Sequence, residues 1–314
     1  MTTGTLATLA AGLLNGRIRV VDLTQTLAPE FPQIVLPPEF GQARPFRIDE
    51  VSRYDERGPA WYWNNFSCGE HTGTHFDAPI HWISGRDLPN NATDTIPVQQ
   101  LIGPACVIDC SREAAQDHDF LLTVDFVRRW ERRHGSIPPR SWVLMRTDWS
   151  KRRDPVAYQN LDETGQHTPG PDAAVVRFLV DERDVIGFGS EAIGTDAGQG
   201  FHLKPPYPCH YYMHGNGRYG LQCLTNLDLL PPTGAIIVCP PLKIRQGSGS
   251  PLRVLALVEE PPGDMPHLGT LSRPRRLGGG RTRIREKGSV PSRKGSVPSR
   301  EGSAHSRPRR TRRP

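Results

Sequence analysis

The chain has 314 residues, 36% hydrophobic and 23% charged, with 31 glycines and 31 prolines. That length is ample for a buried core in one large or two ordinary domains, and no apolar run reaches the roughly 18 residues that cross a bilayer. The formal charge of +6 is unevenly spread: Arg273–Pro314 holds fifteen Lys/Arg against two acidic residues, which leaves −7 on the rest, so the basic pI of 9.1 describes a tail and not the body.

In chain order, the first twenty residues lack the basic start and long apolar stretch of a secretory leader. Six short runs read as strands, being rich in β-branched residues and bounded by Pro, Gly or Asp: "IRVVDL" from Ile18, "ACVIDC" from Ala105, "WVLMRT" from Trp142, "VIGFG" from Val185, "AIIVC" from Ala235 and "LRVLALV" from Leu252. Two helices are predicted. "TVDFVRRWERRHG" has Thr123 as its cap and Gly135 as its stop. "GPDAAVVRFLVDERD" has Pro171 near its first turn and Val175, Phe178 and Leu179 on one face. Strands outnumber helices and do not alternate strictly with them, which predicts an α/β domain on a mixed β-sheet with flanking helices, not a doubly wound one. Six cysteines without a CxxC pair read as reduced thiols of a cytoplasmic protein.

From about Leu268 the composition shifts to Gly, Ser, Pro and Arg, with the tandem "GSVPSRKGSVPSREGS". A folded domain over 1–268 and a basic, disordered tail over 269–314 are expected. Such a tail is read as a solvated extension that meets nucleic acid only non-specifically.

The densest chemistry lies in "HTGTHFDAPIHW", from His71 to Trp82, which holds three of the eleven histidines. His71, His75, Asp77 and His81 all fall on odd positions and share one face if the segment is extended. Gly73 between the histidines is expected to leave room for an ion, and Pro79 to turn His81 back toward it. Two imidazoles and a carboxylate form a ligand set for one divalent metal, zinc or manganese, with positions left for water and substrate. Such an ion activates water and polarises a carbonyl, while His81 is placed to move a proton. The competing reading is a polar loop, which four such residues on one parity disfavour.

The string H-x-G-T-H-x-D-x-P-x-H resembles the signature of the metal-dependent cyclase-like hydrolases, a family that includes bacterial kynurenine formamidase and isatin hydrolase. "RTDWSKR", "HTPGPDAAVVRFL", "GTDAG" and the run from "NLDLLPPTG" to "LRVLALV" resemble further family segments, so the likeness spans about residues 17–260. It implies a fold of the swivelling β/β/α type, a homodimer or homotetramer, and hydrolysis of a C–N amide bond in a small, aromatic or cyclic amide. His71, His75 and Asp77 match the metal ligands and His81 the fourth motif histidine. The family's later histidine falls on His210, with His214 as the alternative, and its acidic partner twelve residues on falls on Gln222. An amide is a far weaker ligand than a carboxylate, so a single metal is expected, with Gln222 bonded to water or substrate. That leans toward an isatin-hydrolase-like enzyme and away from an arylformamidase acting on N-formylkynurenine. A non-catalytic, metal-stabilised small-molecule-binding protein is the reading from another class.

Trp63, Phe66 and Trp82 are candidates to wall a pocket for a planar substrate, against the plainer reading as sheet core. "GNGRYG" (Gly215–Gly220) satisfies G-x-G-x-x-G but lacks a preceding strand and a suitably spaced acid, so no nucleotide cofactor is expected. Cys68 falls on even parity and is expected to pack rather than to ligate.

Overall fold

The structure, a computed structural model, describes residues 4–260; the expectation of a disordered tail over 269–314 lies outside them. Nine strands form one sheet. In chain order these and a separate hairpin are β1 (Ile18–Asp22), the hairpin strands β2 (Arg47–Arg53) and β3 (Tyr62–Ser67), then β4 (His75–Asp77), β5 (Ile102–Asp109), β6 (Trp142–Arg146), β7 (Gly187–Ser190), β8 (Tyr219–Gln222), β9 (Ala235–Val238), β10 (Gly249–Pro251) and β11 (Leu255–Glu259). The sheet order is β1-β11-β9-β5-β6-β7-β8-β4-β10. The central strands β5 to β8 are parallel, and both flanks are antiparallel. The helices used below are α1 (Thr5–Asn15), α2 (Val124–His134), α3 (Ala173–Asp181) and α4 (Pro208–Gly215). This is the mixed α/β architecture the sequence predicts, and all six predicted strands and both predicted helices are present.

The central strands are buried on both faces, which is why they read as continuous apolar runs. Ala105 and Val107 of β5 join Leu144, Phe76, Leu221 and Ile237 in one core. Cys106 and Ile108 point the other way, into a second core with Val127 and Trp130 of α2, Val175 and Leu179 of α3 and Met213 of α4. Thr123 caps α2 by accepting from the Phe126 amide, as its residue type predicts. The Trp130 indole donates to the Val107 carbonyl at 2.9 Å, tying α2 to β5. Arg183, just beyond α3, grips Glu131 of α2 with two hydrogen bonds of 2.6 and 2.9 Å. That fork holds the Glu131 carboxyl below its usual range.

Elements with no counterpart in the sequence reading include α1, the β2–β3 hairpin, α4, β8, and β10 in the segment "GSP". "GNGRYG" runs from the end of α4 into β8, the reverse of the strand-to-helix turn that binds a dinucleotide. Among the described residues, no helix is long and apolar enough to cross a membrane.

Candidate metal-dependent active site

The site is built on β4, a strand of three residues held between β8 and β10. The register sets Gly220 and Gly249 opposite Asp77, and Gln222 and Pro251 opposite His75. Alternation sends Phe76 into the core against Tyr219 and Trp142, with ring centroids 5.2 and 6.3 Å apart. Burying that ring stabilises the strand by about 1.5–3 kcal/mol and turns His75 and Asp77 together to the opposite face.

His75 and Asp77 share a face as their odd positions predict, but the chain upstream of them is not extended. Only His75–Asp77 is extended. Gly73 sits at φ +64, a conformation that favours glycine. The space beside it is filled by Leu27, whose Cδ1 would lie 2.9 Å from a Cβ, so it is not room for an ion. His71 reaches the site from a bend instead. Its ring stacks on His81 at 3.8 Å between centroids, and Pro79 opens the 3-10 turn that brings His81 there.

Asp77 is fully buried and forms the centre of the site. His71 Nδ1 lies 2.7 Å from Oδ1, and His75 Nε2 lies 3.4 Å from the same oxygen. Gln222 Nε2 donates to Oδ2, and His210 Nε2 is 3.9 Å from it. Burial opposes ionisation of Asp77, but the imidazoles of His75 and His71 beside it outweigh that and hold its carboxyl well below the usual range. No side chain fits at Gly220: a Cβ there would come within 2.7 Å of Asp77 Oδ2.

The donor set fits a divalent cation. His75 donates from Nδ1 to the Gly73 carbonyl at 2.7 Å, which fixes its tautomer and leaves Nε2 with a lone pair. That Nε2 is buried and has no hydrogen-bond partner, which is costly unless something accepts the lone pair. His71, Asp77 and His81 bring ligand atoms within 4.8 Å of one another. A second trio, Asp77, His210 and His214, does the same. Burial holds His81 well below the usual imidazole range and His214 down to about 4, so both stand neutral at neutral pH.

Four contributors to this arrangement escaped the sequence reading or were only brushed by it. Asp196, seen as part of "GTDAG", accepts from the Cys209 and His210 amides at 2.6 and 3.0 Å and lies 2.5 Å from His210 Nδ1. Burial opposes the His210 cation, yet the hydrogen bond and charge of Asp196 raise its pKa. His214 follows His210 by four residues on α4, the spacing that puts both on one face. Glu70 and Ser248 lie behind His71 and carried no sequence signal. Trp82 is half-buried against His210, at 4.8 Å, and Tyr207, at 5.7 Å. Trp63 and Phe66 lie apart on the hairpin, 57% and 64% exposed, and neither is sheet core. Cys68 is half-buried and belongs to neither ligand trio.

Buried imidazoles around one buried carboxylate, on a mixed sheet, define a metal-dependent hydrolase. Residues 21–197 match the family described as "Putative cyclase", and the chain belongs to this cyclase-like hydrolase family. It is 50% identical over 255 residues to isatin hydrolase of Roseibium aggregatum, covering 81% of this chain and 97% of that protein. The structure of isatin hydrolase A from Ralstonia solanacearum superposes with a TM-score of 0.81 at 61% identity, covering 82% of this chain and 99% of that one. Kynurenine formamidase of Polaromonas naphthalenivorans is more distant, 25% identical and covering 61% and 73% of the two chains.

Proposed function

We propose that this protein hydrolyses the amide C–N bond of a small cyclic aromatic amide of the isatin type. The observation that carries the reading is the unpartnered, buried Nε2 of His75, which lies 3.4 Å from Asp77; Nε2 of His214, in the second trio, is likewise buried without a partner. The 50% identity to isatin hydrolase supports the substrate class, and the distant formamidases favour it over N-formylkynurenine.

His71, His75 and Asp77 are the residues that would hold the metal, one zinc or manganese ion. When bound, such an ion supplies Lewis acidity and a lowered pKa for water. The Gln222 amide donates to Asp77 Oδ2; a neutral donor on that oxygen favours a single metal over a pair. His81, kept neutral by burial, takes up a proton and returns it to the departing nitrogen. Trp82 and Tyr207 offer flat apolar faces beside His210 for a planar ring.

The hairpin bears on assembly. A two-stranded ribbon is marginal on its own, and this one exposes Ile48, Trp61, Tyr62, Trp63 and Phe66. A second copy of the chain is the fitting cover, in a homodimer or homotetramer. Six unpaired thiols suit a cytoplasmic location.

The test is metal content measured together with turnover of isatin, N-formylkynurenine and simple cyclic amides. Isatin opening that disappears on chelation and returns with zinc or manganese is expected. Full activity in the chelated protein would sink the metal reading. Faster turnover of N-formylkynurenine than of isatin would move the assignment to an arylformamidase. Stoichiometric binding without turnover would make it a binding protein.

A further inference from the structure

His71 is held from both sides. Its ring stacks on His81, and on the β10 side a Cβ at Gly249 would lie 2.6 Å from His71 Cε1. Orientation about the ring's own axis needs a further constraint, because a flip would put Cδ2 in place of the nitrogen facing Asp77. Ser248 supplies it. His71 Nε2 is 2.9 Å from Ser248 Oγ, and that hydroxyl donates to Glu70 Oε2 at 2.5 Å. The Ser248 amide donates to the same Glu70 oxygen at 3.1 Å. Its carbonyl accepts from the Ala78 amide at 2.9 Å, which fixes the serine to the metal-ligand segment.

A serine hydroxyl has one proton to give. Here that proton goes to the carboxylate, so only a lone pair remains toward His71. Nε2 must therefore carry the hydrogen, and in the neutral ring Nδ1 is the bare nitrogen, 2.7 Å from Asp77 Oδ1. His75 reaches the opposite tautomer through its Nδ1 bond to Gly73. The two histidines thus present different nitrogens to one carboxylate, each chosen by the acceptor behind it.

We infer that Glu70 and Ser248 form a two-residue relay that positions His71 with Nδ1 facing the metal, and that Glu70 tightens metal binding without touching the ion or the substrate. This rests on the metal-hydrolase reading above. Glu70 and Ser248 are positioning residues, and the relay acts on metal affinity before it acts on turnover.

Zinc affinity, measured on the full chain by competition with a chromophoric chelator, is the direct readout. Ser248→Ala should weaken zinc binding by about 10- to 100-fold. Ser248→Thr, which keeps the hydroxyl, should stay within about threefold of wild type. Glu70→Gln should weaken binding less than Ser248→Ala does. The double variant should lose less than the product of the two single losses, because part of the Glu70 effect passes through the serine hydroxyl. At saturating zinc the loss in kcat should be smaller than the loss in affinity. Zinc affinity of Ser248→Ala within twofold of wild type would overturn the relay, as would losses that simply multiply in the double variant. If Ser248→Ala does not fold, Glu70→Gln decides, and unchanged affinity there overturns it. Wild type that binds no zinc or manganese defeats the metal reading itself, a result distinct from a metal-binding wild type with an unaffected Ser248→Ala.

Discussion

The β2–β3 hairpin and the β4 motif are neighbours in sequence and opposites in packing. Residues 72–79 are all buried, and Phe76 anchors them from below. The hairpin carries more large apolar side chains than the motif, but most are exposed on a ribbon outside the main sheet. Aromatic content alone does not bring burial. What differs is whether a second layer exists within the chain to receive those side chains. The motif has β8, β10 and a core beneath it, whereas most of the hairpin's large apolar side chains meet no such layer among the described residues.

That contrast is most sharply tested at the motif. His75→Ala should abolish metal retention, read by elemental analysis. It should reduce isatin opening by more than the roughly 100-fold that loss of an outer partner costs. His81→Ala should keep the metal and lose turnover by about 10²–10⁴-fold, the usual share of an acid–base group. Metal loss in that variant would make His81 a ligand. The hairpin should respond differently. Replacing both Trp63 and Phe66 by Ser should shift the oligomer toward smaller species in sedimentation, at about 1.5–3 kcal/mol for each ring no longer buried. The monomer's melting transition should move little, and a collapse in its melting temperature would mean the hairpin is part of the chain's own core.

The smallest effect is far from both regions. Arg183 holds the Glu131 carboxyl below its usual range, so its stabilising contribution is present above about pH 4.3, the value of the free side chain, and is lost as pH falls through the lowered value. Glu131→Gln should therefore be less stable than wild type at neutral pH. The gap in melting temperature should close on acidification, and a gap that widened in acid would reverse the assignment.

Much of this was legible in the sequence, for reasons that can be named. The central strands announced themselves because burial on both faces demands unbroken apolar runs, and α2 because Thr123 and Gly135 mark its ends. The His71–His81 cluster was legible by residue type and spacing, but parity misplaced its first half. Parity assumes a straight chain, and Gly73 in a left-handed conformation bends it. The β10 segment, "GSP", reads as turn chemistry, and only its pairing to β4 makes it a strand. The hairpin's "YWNNFS" lacks alternation because neither face meets the chain's own core. Glu70 and Ser248 are 178 residues apart, a separation at which local pattern carries no information.

That separation also sets a timetable for biosynthesis. The ribosome releases His71, His75 and Asp77 long before Ser248, which lies 177 residues after His71. At about 5–20 residues per second, translation leaves a gap of roughly 10–35 s. Through that interval the nascent chain carries the histidines and aspartate of its proposed metal site without the strand that braces them. The catalytic centre is therefore finished late, once nearly the whole domain has emerged.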